Sequence, residues 1–431
     1  MTRRSAWLKP APCERLREYT DWATQVTSVD QIGQTQGNQS PPVTNTYASP
    51  PHTYKTVYSN GTHALNAGSM ISGNGWRVYD GTIWYHQDHG DNTSPQNGVR
   101  TAGGHRVTLT DSLCAHQNPV VAYRARRLLA GESESSQALR KRRRAIGSSE
   151  MAKRLLLALS GERFNPYRKW QGPHWTLYSL AEIGFPAGDE RLFPLRQRIM
   201  DWMFAPAFLR PPSTVFLPDQ PRLPRRCASM EGNTIWSQLV LGIVDQKQVP
   251  LLVDRLVAFQ WPDGGWNCDK RPGAHTSSVQ ETLLPLRGLA HWYRATGDER
   301  AWRATKRAAE FLLARRLLWR KRDGVLIEPA WGGPVDKIHY PIRFYDVLSV
   351  LLVMAEMGMI RDRRCQDALD LLERKRLADG TFPVEWTNVT KADRIETRGT
   401  YADWGILHKK KGNALVTVDA LYVLREAGRA A

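Results

Sequence analysis

Nowhere among the 431 residues do 18 apolar residues run together, so the sequence offers no segment to span a bilayer. The first ten residues are basic but carry no apolar stretch of the kind a secretory signal needs, and the expectation is a cytoplasmic protein. Cysteine is scarce, and its five copies, Cys13, Cys114, Cys227, Cys268 and Cys365, lie far apart with no C-x-x-C pair. That spacing excludes a zinc knuckle or a C-x-x-C redox motif and predicts reduced thiols. Helical periodicity is missing from most of the first 117 residues, where Asn, Thr, Ser, Gly and Pro dominate and only 14–26 reads as a helix.

Positive charge is what the chain has in excess: a net +18, of which residues 1–117 carry +1 and residues 118–431 carry +17. Most of that charge alternates with acids along helical segments, which marks a solvated outer face and not a nucleic-acid site. The densest run, Arg140-Lys141-Arg142-Arg143-Arg144, sits beside Gly131 and a Ser-rich stretch and reads as a helix face or linker. The same basic surface allows peripheral contact with an anionic membrane. At 41% apolar content the chain can bury a large core, and its length has room for two or three domains.

Residues 1–117 are predicted to form a poorly ordered extension that contains a β-hairpin. Segments 76–79 and 82–85 are β-prone, and Asp80-Gly81 between them tolerates the positive φ angles of a tight turn. His86, His89, His105 and His116 have no consistent ligand spacing and read as polar loop residues. A second reading of this region is a later start of translation, for example at Met70 or Met151.

From residue 118 the pattern becomes regular. Segments 175–184, 349–358 and 419–428 can be laid over one another, each an apolar helix stopped by glycine, and weaker copies end at Gly242 and Gly297. Successive glycines are 58, 55, 61 and 70 residues apart, a repeat that accommodates two helices and two loops. Between these helices lie 249–260, 301–318 and 363–376, richer in Lys and Arg. An inner apolar layer and an outer charged one close most economically into a ring, so residues 118–431 are predicted as an all-α, α/α toroid of repeated helical hairpins.

Three outer helices are followed by an Asp-Gly turn: Gln260-Trp-Pro-Asp263-Gly264-Gly265-Trp266, Lys375 to Phe382 with Asp379-Gly380, and a worn copy at Asp323-Gly324. The first fits the glutamine-tryptophan repeat of terpene cyclases. Residues 118–431 therefore resemble the terpenoid cyclase and protein prenyltransferase superfamily, and most closely bacterial squalene cyclase-like or prenyltransferase-like proteins. The repeat itself reads as structural: Gln260 is expected to bond the start of a neighbouring helix while Trp266 stacks over it. Asp263 occupies the turn and takes a structural role with it.

Chemistry is expected in the loops just before the inner helices, where polar groups converge on one mouth of a ring and build a pocket. The pocket candidates are Tyr167, Lys169, Trp170, His174, Arg226, Cys227, Glu231, Asn267, Cys268, Asp269, His275, His339, Tyr340 and Asp346. Several have plainer readings. Lys169 and Trp170 pack a loop, and Glu281, three residues after Ser278, completes a helix capping box. Asp269 and Asp346 precede or open helices, where a carboxylate gains roughly 0.3–1 kcal/mol from the dipole.

The resemblance implies an isoprenoid or other apolar substrate in a central pocket, and two mechanisms. The first is cyclisation started by a protonated carboxylic acid, for which Asp269 and Glu231, with Asp346 behind them, are the candidate acids. The Asp-x-Asp-Asp motif of squalene-hopene cyclases is absent, and the chain is shorter than those two-domain enzymes. The second is thiolate prenylation on zinc, for which Cys227, Cys268 and His339 are the candidate ligands, although the family's Asp-x-Cys order does not match Cys268-Asp269. It also implies a partner subunit, which one sequence does not show. Tyr167, Lys169, Trp170, His174, Arg226, Asn267, His275 and Tyr340 are assigned to substrate binding. Two alternatives stay open: a carbohydrate-active toroid, lyase or hydrolase, on an anionic sugar polymer, and a non-enzymatic ring that binds lipid or protein.

Overall fold

The computed structural model describes residues 75–79, 82–86, 99–100, 106–157, 165–206, 214–215, 223–271, 273–328, 333–342, 345–391 and 398–430. By internal contact the chain divides into a unit that includes Thr20–Gln96 and one that includes Asn97–Ala431. In the first, β1 (Gly75–Tyr79) pairs antiparallel with β2 (Thr82–His86), with Tyr79 opposite Thr82, as the Asp-Gly signal predicts. His89, His105 and Met70 lie outside the described residues. His116, on the second unit, is an exposed loop residue whose Nδ1 accepts from the backbone N–H of Asn118.

The second unit is mostly helical. After the short pair β3 (Val99–Arg100) and β4 (Arg106–Val107) come α1 (Leu109–Cys114), α2 (Pro119–Leu128), α3 (Gln137–Gly147), α4 (Glu150–Leu156), α5 (Pro173–Glu182) and α6 (Phe193–Met203). The strands β5 (Thr214–Val215) and β6 (Leu223–Pro224) precede α7 (Ala228–Leu241), α8 (Val249–Ala258), α9 (Val279–Thr296), α10 (Glu299–Leu313), α11 (Val347–Glu356) and α12 (Gln366–Glu373). A two-residue parallel pair, β7 (Thr390–Lys391) and β8 (Gly399–Thr400), leads to α13 (Ala414–Glu426). Because α1 packs on α2, the folded unit begins N-terminal to residue 118, where composition alone had placed the boundary.

The glycines that marked the repeat do what a helix stop requires. Gly184, Gly242, Gly297, Gly358 and Gly428 all have φ between 64° and 77°, the left-handed region that a side chain disfavours. Every residue of α5 is buried, as are nearly all of α11, whereas α10 buries Ala301, Ala304, Ala308, Phe311 and Leu312 and turns its Arg and Glu residues outward. The more deeply buried helices pack in succession: α5 on α7, α7 on α9, α9 on α11, α11 on α13 and α13 on α2. At the end of α5, Gly184 lies against the ring of Tyr123 from α2, so closely that a Cβ there would sit 2.4 Å from Cε1. The amphipathic helices α6, α8, α10 and α12 each pack on the buried helix that precedes them. Among the described residues no helix is long and apolar enough to cross a membrane.

Two features weld the buried helices together. Helices α7 and α9 meet backbone to backbone, since a Cβ on Gly232 would lie 2.3 Å from the nitrogen of Pro285 and one on Gly288 2.4 Å from the Gly232 carbonyl oxygen. A buried ion network then spans the rest. Arg124 of α2 bonds Asp419 of α13 and the carbonyl of Glu182 at the end of α5. Glu182 pairs with Arg287 Nη1 of α9 at 2.5 Å, and Arg287 grips Glu356 of α11 bidentately through Nε and Nη2 at 2.8 and 2.6 Å. The Arg287 guanidinium also stacks 3.7 Å over the Trp236 ring of α7. All these charges are paired, which is the condition for holding them out of water.

The glutamine-tryptophan turn ties outer helix to outer helix, with different partners from those expected. Gln260 Nε2 donates to the carbonyls of Gly264 (2.6 Å) and Ala304 (2.8 Å), so it reaches the middle of α10 and not the start of a helix. Trp266 is buried and donates from Nε1 to the carbonyl of Leu256 near the end of α8. Gly264 has φ 101° and presses on the Arg307 carbonyl of α10, where a Cβ would be 2.4 Å away. Asp263 serves the turn by accepting the Ser277 N–H at 2.8 Å. The basic run is the helix face it promised to be: on α3, Arg143 donates to the carbonyls of Gly184, Phe185 and Val240, at the C-terminal ends of α5 and α7.

Candidate functional site

The loops before α5, α7 and α9 meet at the N-terminal ends of those helices. The Arg226 N–H donates to the Asn267 carbonyl at 3.0 Å and binds the second loop to the third. Cys227 is the N-cap residue of α7, a position where a thiol makes no side-chain cap bond. The vacant capping role is filled from the neighbouring helix: Glu281, in the first turn of α9, accepts the backbone N–H of Ser229 through Oε2 at 2.9 Å. Its other oxygen, Oε1, accepts from the Cys268 thiol at 3.5 Å. The expected capping box is therefore not formed, because Ser278 makes no side-chain cap bond and the Glu281 carboxylate is spent on α7.

This geometry brings three ligand-type atoms together. The sulfurs of Cys227 and Cys268 and a carboxylate oxygen of Glu281 all lie within 4.8 Å of one another. Cys227 is exposed, Cys268 half-buried and Glu281 buried, so the cluster opens to solvent on the Cys227 side. A hydrogen bond from Cys268 lowers the Cys227 thiol, while that same bond and burial push the Cys268 thiol up. Burial also raises the Glu281 carboxyl, against the opposing bond from Ser229. A soft, borderline cation would replace these shared protons, and two thiolates with one carboxylate form a donor set that suits zinc.

Behind the cluster lies an aromatic wall. The Tyr167 ring is 5.4 Å from His174, 5.3 Å from Trp175 and stacked 6.0 Å from Trp202, and Trp170 meets Trp175 edge-on at 4.6 Å. Tyr167, Trp175, Ser229, Gln280, Leu283, Leu284 and Tyr345 line a cavity of about 10 Å³, the space of roughly one water molecule. His174 is 1% exposed, and burial alone pushes it down to about 3, so the ring is neutral. Its Nε2 lies 2.9 Å from the Asn233 side-chain amide, and its Nδ1 has no hydrogen-bond partner among the described residues.

The three acids proposed from sequence have different fates. Glu231, 1% exposed, lies one turn along α7 from Cys227 and takes Arg226 at 2.6 Å and Arg255 at 2.8 Å on Oε1, while Oε2 has no hydrogen-bond partner among the described residues. Burial, opposed by Arg226, raises its carboxyl to about 7. Asp269 pairs with Arg271 at 2.6 Å, and the bonds from Arg271 lower it to about 2, so it is ionised at neutral pH. Asp346 is fully buried as the N-cap of α11, with Oδ1 accepting from the N–H groups of Leu348 and Ser349 and Oδ2 from the Ser349 hydroxyl.

Of the other candidates, Asn267 braces its own loop, accepting from the Asp269 N–H and donating to the Thr276 carbonyl. Lys169 lies 5.2 Å over the Trp170 ring, and Trp170 donates to the Asn388 carbonyl, as loop packing predicts. His275 is exposed. His339 and Tyr340 belong to a different place: His339 pairs across a bridge with Trp386 and its Nε2 meets the Pro334 carbonyl, while the Tyr340 ring packs edge-on against Trp404. The three ligand-type atoms that the fold brings together are thus those of Cys227, Cys268 and Glu281, and His339 is not among them.

Glu281 is the residue that sequence reasoning passed over, as a helix cap. The only signal for it was position, a carboxylate in the first turn after a loop that carries Cys268. Set beside known protein families and curated proteins, the sequence matches no family model and no curated protein.

Proposed function

We propose that residues 118–431 form an α/α toroid like those of the terpenoid cyclase and protein prenyltransferase superfamily, and that its mouth carries a zinc site of Cys227, Cys268 and Glu281. The activity we infer is alkyl transfer to a thiol, with an isoprenoid or other apolar chain as donor. The toroid reading is supported by the succession of contacts from α5 through α13 to α2 and back to the end of α5.

The observation that carries the reading is the convergence of two thiols and a carboxylate within 4.8 Å, open on one side. Cys227, Cys268 and Glu281 would hold the ion, and the chemistry that zinc would supply when bound is activation of a substrate thiol by lowering its pKa. The chain's own residues supply the rest. Tyr167 and Trp175 offer aromatic faces beside the cluster to a carbon that develops positive charge. The cavity there holds about one water, so an apolar tail would have to displace the loop carrying Tyr167 to enter. Acid-started cyclisation fits less well: Asp269 is ionised, Asp346 is spent on a cap, and Glu231 is held by two guanidiniums.

Elemental analysis of the purified protein tests this, with about one zinc ion per chain expected. Cys227→Ser, Cys268→Ser and Glu281→Gln should each weaken zinc by more than the roughly 10–100-fold that follows loss of a residue behind a ligand. A metal-free protein that also shows no thermal shift with an isoprenoid diphosphate, in wild type or Cys268→Ala, ends the proposal.

A further inference from the structure

The two sulfurs that meet at the mouth come from separate elements. Cys227 caps α7 and Cys268 follows the glutamine-tryptophan turn, 41 residues later, yet their ligand atoms lie within 4.8 Å. They differ in access. Cys227 is exposed and Cys268 half-buried, so Cys227 is the thiol more open to a reagent in solution. Cys365, by contrast, is fully buried. An exposed thiol backed by a second thiol in reach is the arrangement of a sensor cysteine and its resolving partner.

We propose that Cys227 and Cys268 are a redox modification site, oxidised by a hydroperoxide to a reversible disulfide that switches the cluster off as a metal site. Only the last clause rests on the zinc reading. In the first step the Cys227 thiolate attacks the terminal oxygen of the hydroperoxide, the O–O bond breaks, and the alkoxide or hydroxide leaves with a proton from water. Two electrons pass from sulfur to peroxide, and Cys227 becomes a sulfenic acid. In the second step Cys268 attacks that sulfur. The S–S bond forms, the S–O bond breaks, and the hydroxide leaves as water with the proton of Cys268. The Glu281 oxygen 3.5 Å from the Cys268 sulfur is the first acceptor of that proton. Two thiols and one hydroperoxide give one disulfide, one alcohol or water, and one water.

A disulfide needs its sulfurs at about 2.05 Å. Both cysteines lie outside helix interiors, at a cap and in a loop, where small backbone shifts close such a gap. Loss of both thiolates leaves Glu281 alone, which is too few donors for a zinc site.

The test uses the full chain, metal-stripped and zinc-loaded in parallel, treated with equimolar hydrogen peroxide, alkylated and analysed by peptide mass spectrometry. A Cys227–Cys268 cross-linked peptide that dithiothreitol abolishes is expected as the main product. Cys268→Ser should trap Cys227 as a dimedone-reactive sulfenic acid, and Cys227→Ser should leave Cys268 alkylated as a free thiol. In the zinc-loaded sample, peroxide should release the metal to a chromogenic chelator. Recovery of both cysteines as free thiols, or their separate oxidation without a cross-link, overturns the proposal even where zinc is bound. A cross-link in a protein that never binds zinc supports the modification site and overturns only the zinc reading.

Discussion

Replacing Arg287 by Met is the sharpest test of how the buried helices are held. The guanidinium is 7% exposed, pairs with Glu182 at 2.5 Å, grips Glu356 at 2.6 and 2.8 Å and covers the Trp236 ring at 3.7 Å. Methionine fills similar space but leaves two carboxylates behind. Glu182 keeps only a longer contact with Arg124, at 3.9 Å. Removing one partner of a buried pair costs about 3–5 kcal/mol, and the lost stack over Trp236 adds about 1. We expect a deficit of about 4 kcal/mol in urea unfolding at pH 7, followed by tryptophan fluorescence. In the wild type, burial raises the Glu356 carboxyl, but Arg287 and His291 outweigh it and hold it far below its ordinary 4.5. That stability is complete above 4.5 and is lost only as pH falls through the depressed value. In the variant only His291 is left to oppose burial, the carboxyl moves up, and the folded state takes a proton. The deficit should therefore narrow as pH falls from 7 toward 4.5, and Glu356→Gln in the same chain should recover part of it. A loss under about 1 kcal/mol at pH 7, or a deficit blind to both pH and Glu356→Gln, refutes the reasoning.

Gly232→Ala should lower the midpoint of thermal unfolding even though alanine gains about 1 kcal/mol of helix propensity, because its Cβ would meet the Pro285 nitrogen at 2.3 Å. Forcing α7 from α9 costs about 1–3 kcal/mol, whereas Gly273→Ala, with nothing within 4 Å, should stay within about 0.5 kcal/mol; equal effects would contradict the close approach. Glu231→Gln should flatten a pH dependence. The carboxyl rises from 4.5 to about 7 on folding, so the folded state holds the extra proton, and wild-type stability relative to Gln falls between pH 4.5 and 7 by about 3 kcal/mol. Parallel stability curves for the two proteins over that window would show that Glu231 ionises freely.

Much of the helical frame was legible because its signals are local. The stop glycines needed no knowledge of partners, since a left-handed residue after an apolar helix is a property of the backbone itself. The Asp-Gly hairpin was readable for the same reason. Boundaries were less so: α5, α11 and α13 begin before the aligned segments, at Pro173, Val347 and Ala414, where capping and not the repeat decides the start. The network of Arg124, Glu182, Arg287, Glu356 and Asp419 gave no signal at all. Each is an ordinary charged residue in the sequence, and only burial beside a partner from another helix sets it apart.

The candidate site divides along the same line. Cys227 and Cys268 could be picked out by residue type and by their place in loops before helices, and so could His339, which lies elsewhere, beside Trp386. Glu281 reads as a cap because Ser278 stands three residues before it, and helix capping depends on spacing alone. Its real partner, the N–H of Ser229, is 52 residues away and becomes available because Cys227 leaves the start of α7 without a side-chain cap. The sequence by itself determined that inner helices stop at glycines and that thiols sit in the loops before them. The tertiary structure decided which carboxylate joins those thiols, because an unsatisfied helix terminus takes the acceptor that packing brings within reach, whatever its distance along the chain.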